Sequence, residues 1–462
     1  MRVIFTSLIV TALLMGVRQL GWLQVQELWA FDQLIRLRPD EGSDRRLLIV
    51  AVTEQDIQAQ RKWPLSDRTI EQLLAKLEQH QPRAIGLDIY RDLPVAPGNT
   101  ELVKRLQQSD RIITGCKVND SSGNLGVAPP PGIPEERVGF IDLPIDGGIL
   151  RRTLLFMNPP HHTAKQNPHL CANPNADIYS FSLLLALSYL ELEKIEPENT
   201  PSGELKLGST VFKRLKQNSG GYRNINSAGY QILLNYRSPQ KVAKQVTLTE
   251  VLTGKVNPDL IKNRIVLIGT TAESINDVFF TPYSAGLQKD KNLSGVEIHA
   301  QEVSKILSAV LDRRPLLWYW STWGETIWIG AWSLFGGILT LLRHPLNFTL
   351  TSAAALLSNF IICFGFFLQG AWIPLIPSVF AFTATVGSII FVERGYTQTI
   401  YTRVKSALKI DIEINHSKKE YQVAEITQTE YFQNLKQKGK DIRNKKTNTS
   451  PQTNPNQTNN PN

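Results

Sequence analysis

The chain has 462 residues and a net charge of +9, with 50 Lys and Arg against 41 Asp and Glu. In a soluble protein that balance suggests nucleic acid, but here the excess is spread out and the C-terminal tail supplies a good part of it, so no nucleic-acid partner is expected. Basic residues close to an inner leaflet meet anionic lipid instead.

The first apolar run, 3–17, is short for a membrane span, but continuing through Arg18 to Leu23 brings it to about 20 residues, the length a bilayer core demands. Arg18 then falls near the outer interface, where its long stem lets the guanidinium reach water. No small-x-small cleavage site occurs between Met15 and Ala30, so 1–23 reads as a retained anchor rather than a cleaved leader.

Residues 24–315 suffice for one large domain. Residues 47–53 (LLIVAVT) read as a buried strand and 66–80 as an amphipathic helix capped by Ser66. A second strand at 84–90, a helix at 100–108 and a third strand at 111–118 complete a β-α-β-α-β succession. The fold class is therefore α/β, with a mainly parallel sheet flanked by helices. Residues 138–143 and 149–157 read as a hairpin or sheet extension, and 158–176, rich in Pro, Asn and His, as an exposed loop. A strongly apolar helix spans 178–192, and 203–220 suggests a small hairpin. Residues 231–236, 248–252 and 264–271 return to the α/β rhythm. Val296, Ala300, Val303, Leu307 and Val310 give the last helix one apolar face, and a short connection leads from it towards the membrane.

Three further spans are expected within 316–392: one ending at Leu342, one over 347–368 and one over 372–392. A carboxylate at the bilayer centre costs about 2.5–3.5 kcal/mol, so Glu325 is placed at the outer edge beside Trp318, Trp320 and Trp323. Arg2, Arg343, Arg394, Arg403, Lys405 and Lys409 set the cytoplasmic side, which puts both termini inside and the large domain outside. Arg313 and Arg314 argue mildly against this, but long translocated domains are poor indicators of orientation. The expected arrangement is thus four spans, one before and three after the domain, in the plasma (inner) membrane. Residues 393–446 form a cytoplasmic juxtamembrane segment, and 447–462 an Asn/Thr/Pro-rich tail expected to be disordered.

Chemistry is sparse. Asp88 stands at a strand end, and Asp56, Asp67 and Asp92 are placed to approach it, since ligands bind at the C-terminal edge of a parallel sheet. No dinucleotide glycine motif, Walker loop or nucleophile elbow occurs. The run Gly269-Thr270-Thr271-Ala272 reads as a plain strand exit, although its amides would suit an anion. His161, His162, His169 and Cys171 match no closed zinc pattern, so neither a metal nor any cofactor is expected. Cys116 and Cys171 are disulfide candidates in an oxidising compartment, closing a loop of about 55 residues worth roughly 4 kcal/mol in the chain-entropy model.

Several segments resemble the second type of cyclase/histidine-kinase-associated sensory extracellular domain, CHASE type 2. They are FDQLIRLRP at 31–39, LLIVAVTEQDI, WPLSDRTIEQLL, PRAIGLDIY, VGFIDLPIDGGILRR at 138–152, SFSLLLAL at 180–187, NRIVLIGTTAESINDVFFTPYS at 263–284 and LSGVEIHAQEVSKIL at 293–307. The resemblance runs over about 24–392, in the style of cyanobacterial members. It implies an extracytoplasmic sensory module usually coupled to a cyclase or kinase, acting as a homodimer. It assigns no binding role to any residue. Here the usual output domain is missing: about 70 residues follow Glu393, below the size of a catalytic domain. The expectation is a non-enzymatic sensor of an unidentified extracytoplasmic ligand that signals to a separate cytoplasmic kinase or cyclase, docked through 400–440. The rivals are a membrane-tethered enzyme built around Asp88 and an envelope scaffold.

Overall fold

A computed structural model describes residues 1–119, 125–161, 169–239, 241–284, 292–393 and 430–447. The chain opens with helices α1 (Arg2–Gln19) and α2 (Gln24–Leu37). There follow β1 (Leu47–Val52), α3 (Glu54–Gln60), α4 (Asp67–Glu78), β2 (Ala84–Asp88), α5 (Asn99–Gln108), β3 (Ile112–Cys116) and β4 (Val138–Phe140). After α6 (Phe181–Glu191) come β5 (Lys244–Thr247), α7 (Leu248–Leu252), β6 (Ile265–Thr270) and α8 (Gly295–Leu311). Helices α9 (Thr322–Leu339), α10 (Pro345–Leu368), α11 (Leu375–Glu393) and α12 (Glu430–Thr447) complete the described chain. Contacts divide it into Met1–Val386 and Gly387–Asn462.

Six strands form one parallel sheet in the order β5-β1-β6-β2-β3-β4. Parallel sheets need cover on both faces, and this requirement explains the unbroken apolar runs of β1 and β6, every residue of which is buried. Leu48, Val50 and Val52 point to one face, where Ile70, Leu73 and Leu77 of α4, Leu102 and Leu106 of α5 and Val251 of α7 close over them. Leu47, Ile49 and Ala51 point to the other, against Leu185 and Ala186 of α6 and Val296, Ala300, Val303 and Leu307 of α8. Each fully buried Leu, Ile or Val contributes roughly 1.5–3 kcal/mol. Gly269 of β6 allows α8 to sit this close, because a Cβ there would lie 2.5 Å from the Val296 Cβ.

Three sequence expectations are revised here. Residues 138–140 do extend the sheet, but 152–157 pairs antiparallel with 230–233 in a separate small sheet, so 231–236 does not continue the parallel rhythm. The strand that does so is β5, an edge strand of the sheet that opens on Lys244. Helix α8 presents the expected apolar face, with Val296, Ala300, Val303 and Leu307 in the core and Val310 packed against it, and its other sides are covered as well: fourteen of its seventeen residues, from Gly295 to Ala309, are buried. Its polar side is paired: Gln301 bonds the Arg237 and Ser238 backbone, and Ser304 donates to Asp44 at 2.8 Å. Finally, α1 stops at Gln19 rather than Leu23, and the chain turns through Gly21 (φ +80°) into α2.

Among the described residues, three helices are long and apolar enough to cross a membrane: α1, α10 and residues Leu375–Val392 of α11. Helix α9 has 18 residues but carries Glu325 and three tryptophans, which dilute its hydropathy. It lies along α1 through small residues, as apolar helices in lipid do. Ser7 and Ser333 exchange side-chain-to-backbone hydrogen bonds at 3.3 and 3.2 Å, and Ser333 meets Thr385 of α11 at 2.6 Å. Short strands Trp318–Tyr319 and Ala371–Trp372 pair beside the α/β domain. Phe31 of α2 packs on Phe367 (5.6 Å) and Trp372 (4.8 Å), which fixes the domain to the helices. Helix α12 exposes Tyr431, Phe432 and Leu435.

Candidate functional site

The C-terminal edge of the sheet opens into a cavity of about 480 Å³. Asp88 ends β2, Lys117 follows β3, Asp142 follows β4 and Thr270 ends β6, and all four line the space. Gly295 and His299, from the first two turns of α8, form one wall, and Trp63, Tyr90 and Phe279 supply aromatic surface. The Asp88 side chain is 6% exposed, and no hydrogen bond to it is found among the described residues; its nearest cationic atom is the His299 Nε2 at 4.0 Å. Burial pushes its carboxyl up to about 6, with Asp277 adding to the rise and His299 opposing it. Burial raises the Asp142 and Asp277 carboxyls too.

His299 is held from behind. The Ser182 hydroxyl donates to Glu302 (2.7 Å) and stands within hydrogen-bond distance, 2.9 Å, of the His299 Nδ1, while the His299 Nε2 lies on the Asp88 side of the ring, at 4.0 Å. Burial opposes charge on this imidazole, but Asp88 and Glu302 outweigh it and hold its pKa above the ordinary value. Phe181 packs edge-on against the ring at 5.2 Å. Ser182 is fully buried behind the imidazole and does not line the cavity, so the Ser-His-Asp order here is not a presented nucleophile. At Gly295 a Cβ would lie 2.6 Å from the Asp277 Oδ2; glycine therefore lets that carboxylate rest at the α8 N-terminus, where the helix dipole favours negative charge.

Of the four carboxylates singled out from sequence, only Asp88 lines this cavity. Asp56 closes the α3 capping box with Thr53 and accepts from the Thr249 amide (2.9 Å) and hydroxyl (2.5 Å), tying α3 to α7. Asp67 accepts from the Val95 amide and the Asn99 side chain, pinning the loop after β2. Asp92 lies half-buried on that loop. Cys116 and Cys171, with Cα atoms 6.3 Å apart, are joined by a disulfide. His162 lies outside the described residues, His161 is exposed, and no group of three potential metal ligands occurs among the described residues. The amides of Thr271 and Ala272 bond Val52 and Thr270 and are not free for an anion. Sequence reasoning missed Asp142, Asp277 and His299, which fold brings together from two loops and a helix.

Comparison with family models gives one match, to the CHASE2 domain, over residues 9–338. The chain belongs to the CHASE2 domain family. CHASE2 domains are extracellular sensory domains, not catalytic ones. Comparisons with curated proteins and with solved structures gave no match. The CHASE2 match starts inside α1 and ends inside α9, so it takes in parts of these two helices as well as the α/β body.

Those two CHASE2 helices share a second buried charge cluster. Arg18 of α1 is 1% exposed and makes paired bonds to Glu27 of α2 (2.8 and 2.9 Å) and to Glu325 of α9 (2.5 and 3.2 Å). It also donates to the Gly220 carbonyl of the α/β body at 2.9 Å. This corrects the sequence expectation twice: Arg18 does not reach water, and Glu325, though near the start of α9, is 3% exposed rather than solvated among the tryptophans. Each charge is tolerated because the other is there.

Proposed function

We propose that this chain is a membrane-bound extracytoplasmic sensor that reports the state of the sheet-edge cavity to a separate cytoplasmic protein. The observation that carries the reading is that α8 belongs to both ends of the path. Gly295 and His299 at its start line the cavity, and its end runs into the connection to α9. That connection is held to the body: Asp312 bonds Arg46 (2.8 Å), and Arg314 bonds Glu41 (2.7 Å) and the Asn235 and Tyr236 carbonyls. A displacement of α8 would reach α9 through a short, tethered segment, and Arg18 would share it with α1 and α2.

In this reading α1, α9, α10 and α11 all cross the plasma membrane, both termini are cytoplasmic, and the α/β body faces outward. The exposed Ile4, Phe5, Leu8, Trp323, Ile327, Leu350 and Leu357 support contact with lipid. The cytoplasmic partner is a kinase or cyclase, engaged through the segment that includes α12, and the working unit is a homodimer. The test is affinity capture from detergent with the full chain and with a version ending at Arg394. Loss of a kinase or cyclase on truncation supports signalling to a separate protein, and an unchanged set of captured proteins refutes it. An impermeant thiol reagent on intact cells should label Asn175→Cys and spare Tyr431→Cys; the reverse pattern would overturn the orientation.

A further inference from the structure

We infer that the sheet-edge cavity binds a small organic cation, an amine or quaternary ammonium compound, with its charged end between Asp88 and Asp277 and its apolar body against Trp63, Tyr90 and Phe279. This deepens the sensor reading and rests on it for biological role, though not for chemistry. A volume of about 480 Å³ lies within the ~300–1,000 Å³ range of small-molecule sites.

Charge sets the sign of the ligand. Three carboxylates face Lys117 and His299, so one negative charge is left over when all five groups are ionised. Asp142 already accepts the Val118 amide at 2.9 Å and has Lys117 beside it. Asp88 has no such amide among the described residues, and its nearest cationic atom is the His299 Nε2, at 4.0 Å. Its side chain is 94% buried (6% exposed) and aimed into the cavity, with no hydrogen bond found among the described residues. A buried carboxylate of this kind is costly unless a donor or an opposite charge reaches it; a protonated amine supplies both, and a quaternary ammonium supplies the charge alone.

Spacing sets the size. No three of the acidic and histidine side chains among the described residues converge closely enough to chelate one metal ion. Trp63, Tyr90 and Phe279 line the same space as the carboxylates, and aromatic rings attract cations and their apolar substituents.

The experiment titrates the full-length protein in detergent at pH 8 with benzylamine, choline and putrescine. Each has a neutral counterpart of similar shape: benzyl alcohol, dimethylbutanol and butanediol. Benzoate is the anionic control. At least one cation should bind saturably by calorimetry, about tenfold or more tighter than its neutral counterpart. Asp88→Asn and Asp277→Asn should each weaken that binding about tenfold or more while the circular dichroism spectrum is unchanged. If one variant does not fold, the other and the wild-type comparison decide. Failure of all three cations, equal binding of the neutral counterparts, or unchanged affinity in both variants overturns the assignment. Cation binding that leaves capture of the cytoplasmic protein unaltered would uphold the ligand class and refute the sensor role. Capture that responds to benzoate or an alcohol alone would do the opposite.

Discussion

Replacing Arg18 by Met tests whether the charge cluster holds the α/β body to the membrane helices. The guanidinium makes four bonds to two carboxylates and one to the Gly220 carbonyl, all at 1–3% residue exposure. Methionine fills most of the volume but leaves Glu27 and Glu325 buried without their cation. Breaking a buried pair in this way costs about 3–5 kcal/mol. Arg223, which bonds the same Gly220 carbonyl at 2.7 Å, stands close enough to compensate in part, so the loss is expected near about 3 kcal/mol. At roughly 2–4 °C per kcal/mol, the thermal midpoint in detergent should fall by about 6–12 °C. Adding Glu27→Gln and Glu325→Gln to Arg18→Met removes the stranded charges and should restore most of the difference, because the cost lies in isolation rather than in the absence of the pair. The reasoning fails if Arg18→Met stays within about 1 kcal/mol of wild type, or if the triple variant is no better than the single one.

Three further outcomes are expected. Asp88 has a folded pKa raised above its unfolded value and His299 likewise, so both contribute stability at low pH that is lost as pH rises from about 4 through 6 and beyond. Asp88→Asn should therefore flatten this part of the stability–pH curve and be more stable than wild type at pH 7 by roughly 1–3 kcal/mol; a steeper curve would contradict the assignment. Lys305, 1% exposed with one 3.4 Å bond to the Leu233 carbonyl, is pushed down to about 7 by burial, so wild-type stability should rise between about pH 7 and 10 as the unfolded chain holds the extra proton. Lys305→Met should abolish that rise and stabilise the protein by roughly 1–3 kcal/mol at pH 7, measured by denaturant titration. Gly269→Ala drives a methyl group into Val296 and should cost about 1–3 kcal/mol in thermal unfolding.

The central strands were readable because burial on both faces leaves no alternation, only apolar runs such as LLIVAV and IVLIGT. Edge strand β5, KQVT, carries no such run and was passed over. Residues 230–233 look like any buried strand, and composition does not say which sheet a strand joins. Asp56 and Asp67 resembled Asp88 as strand-edge acids, yet both had a readable alternative. Asp56 closes a Thr-x-x-Asp box, and Asp67 follows the helix cap Ser66; each is the first-turn acid of a helix. Asp88 lacks that local employment, which separates it from the others without a structure. Asp277 and His299 carried no comparable signal, because their importance lies in which loop and which helix turn face the same space.

The pairing of Arg18 with Glu325 was within reach for a related reason. For a single charge at a membrane boundary, taken alone, water is the cheapest partner. Two opposite charges at adjoining ends of neighbouring helices have a cheaper solution in each other, provided further donors and acceptors complete the shell, as Glu27 and Gly220 do here. The same logic bears on α8. Its last turns are clamped, with Ser304 on Asp44 and Ser308 receiving bonds from Arg46 (2.9 Å) and Arg237 (3.0 Å). Its first turns face a cavity in which no hydrogen bond to Asp88 is found among the described residues. A helix so held at one end and unsatisfied at the other has little freedom to slide, because packed interfaces shift between discrete arrangements. On the sensor reading, ligand binding therefore acts by completing the polar shell at the start of α8, and what reaches the membrane is a change in the tilt of the whole helix about its clamped end.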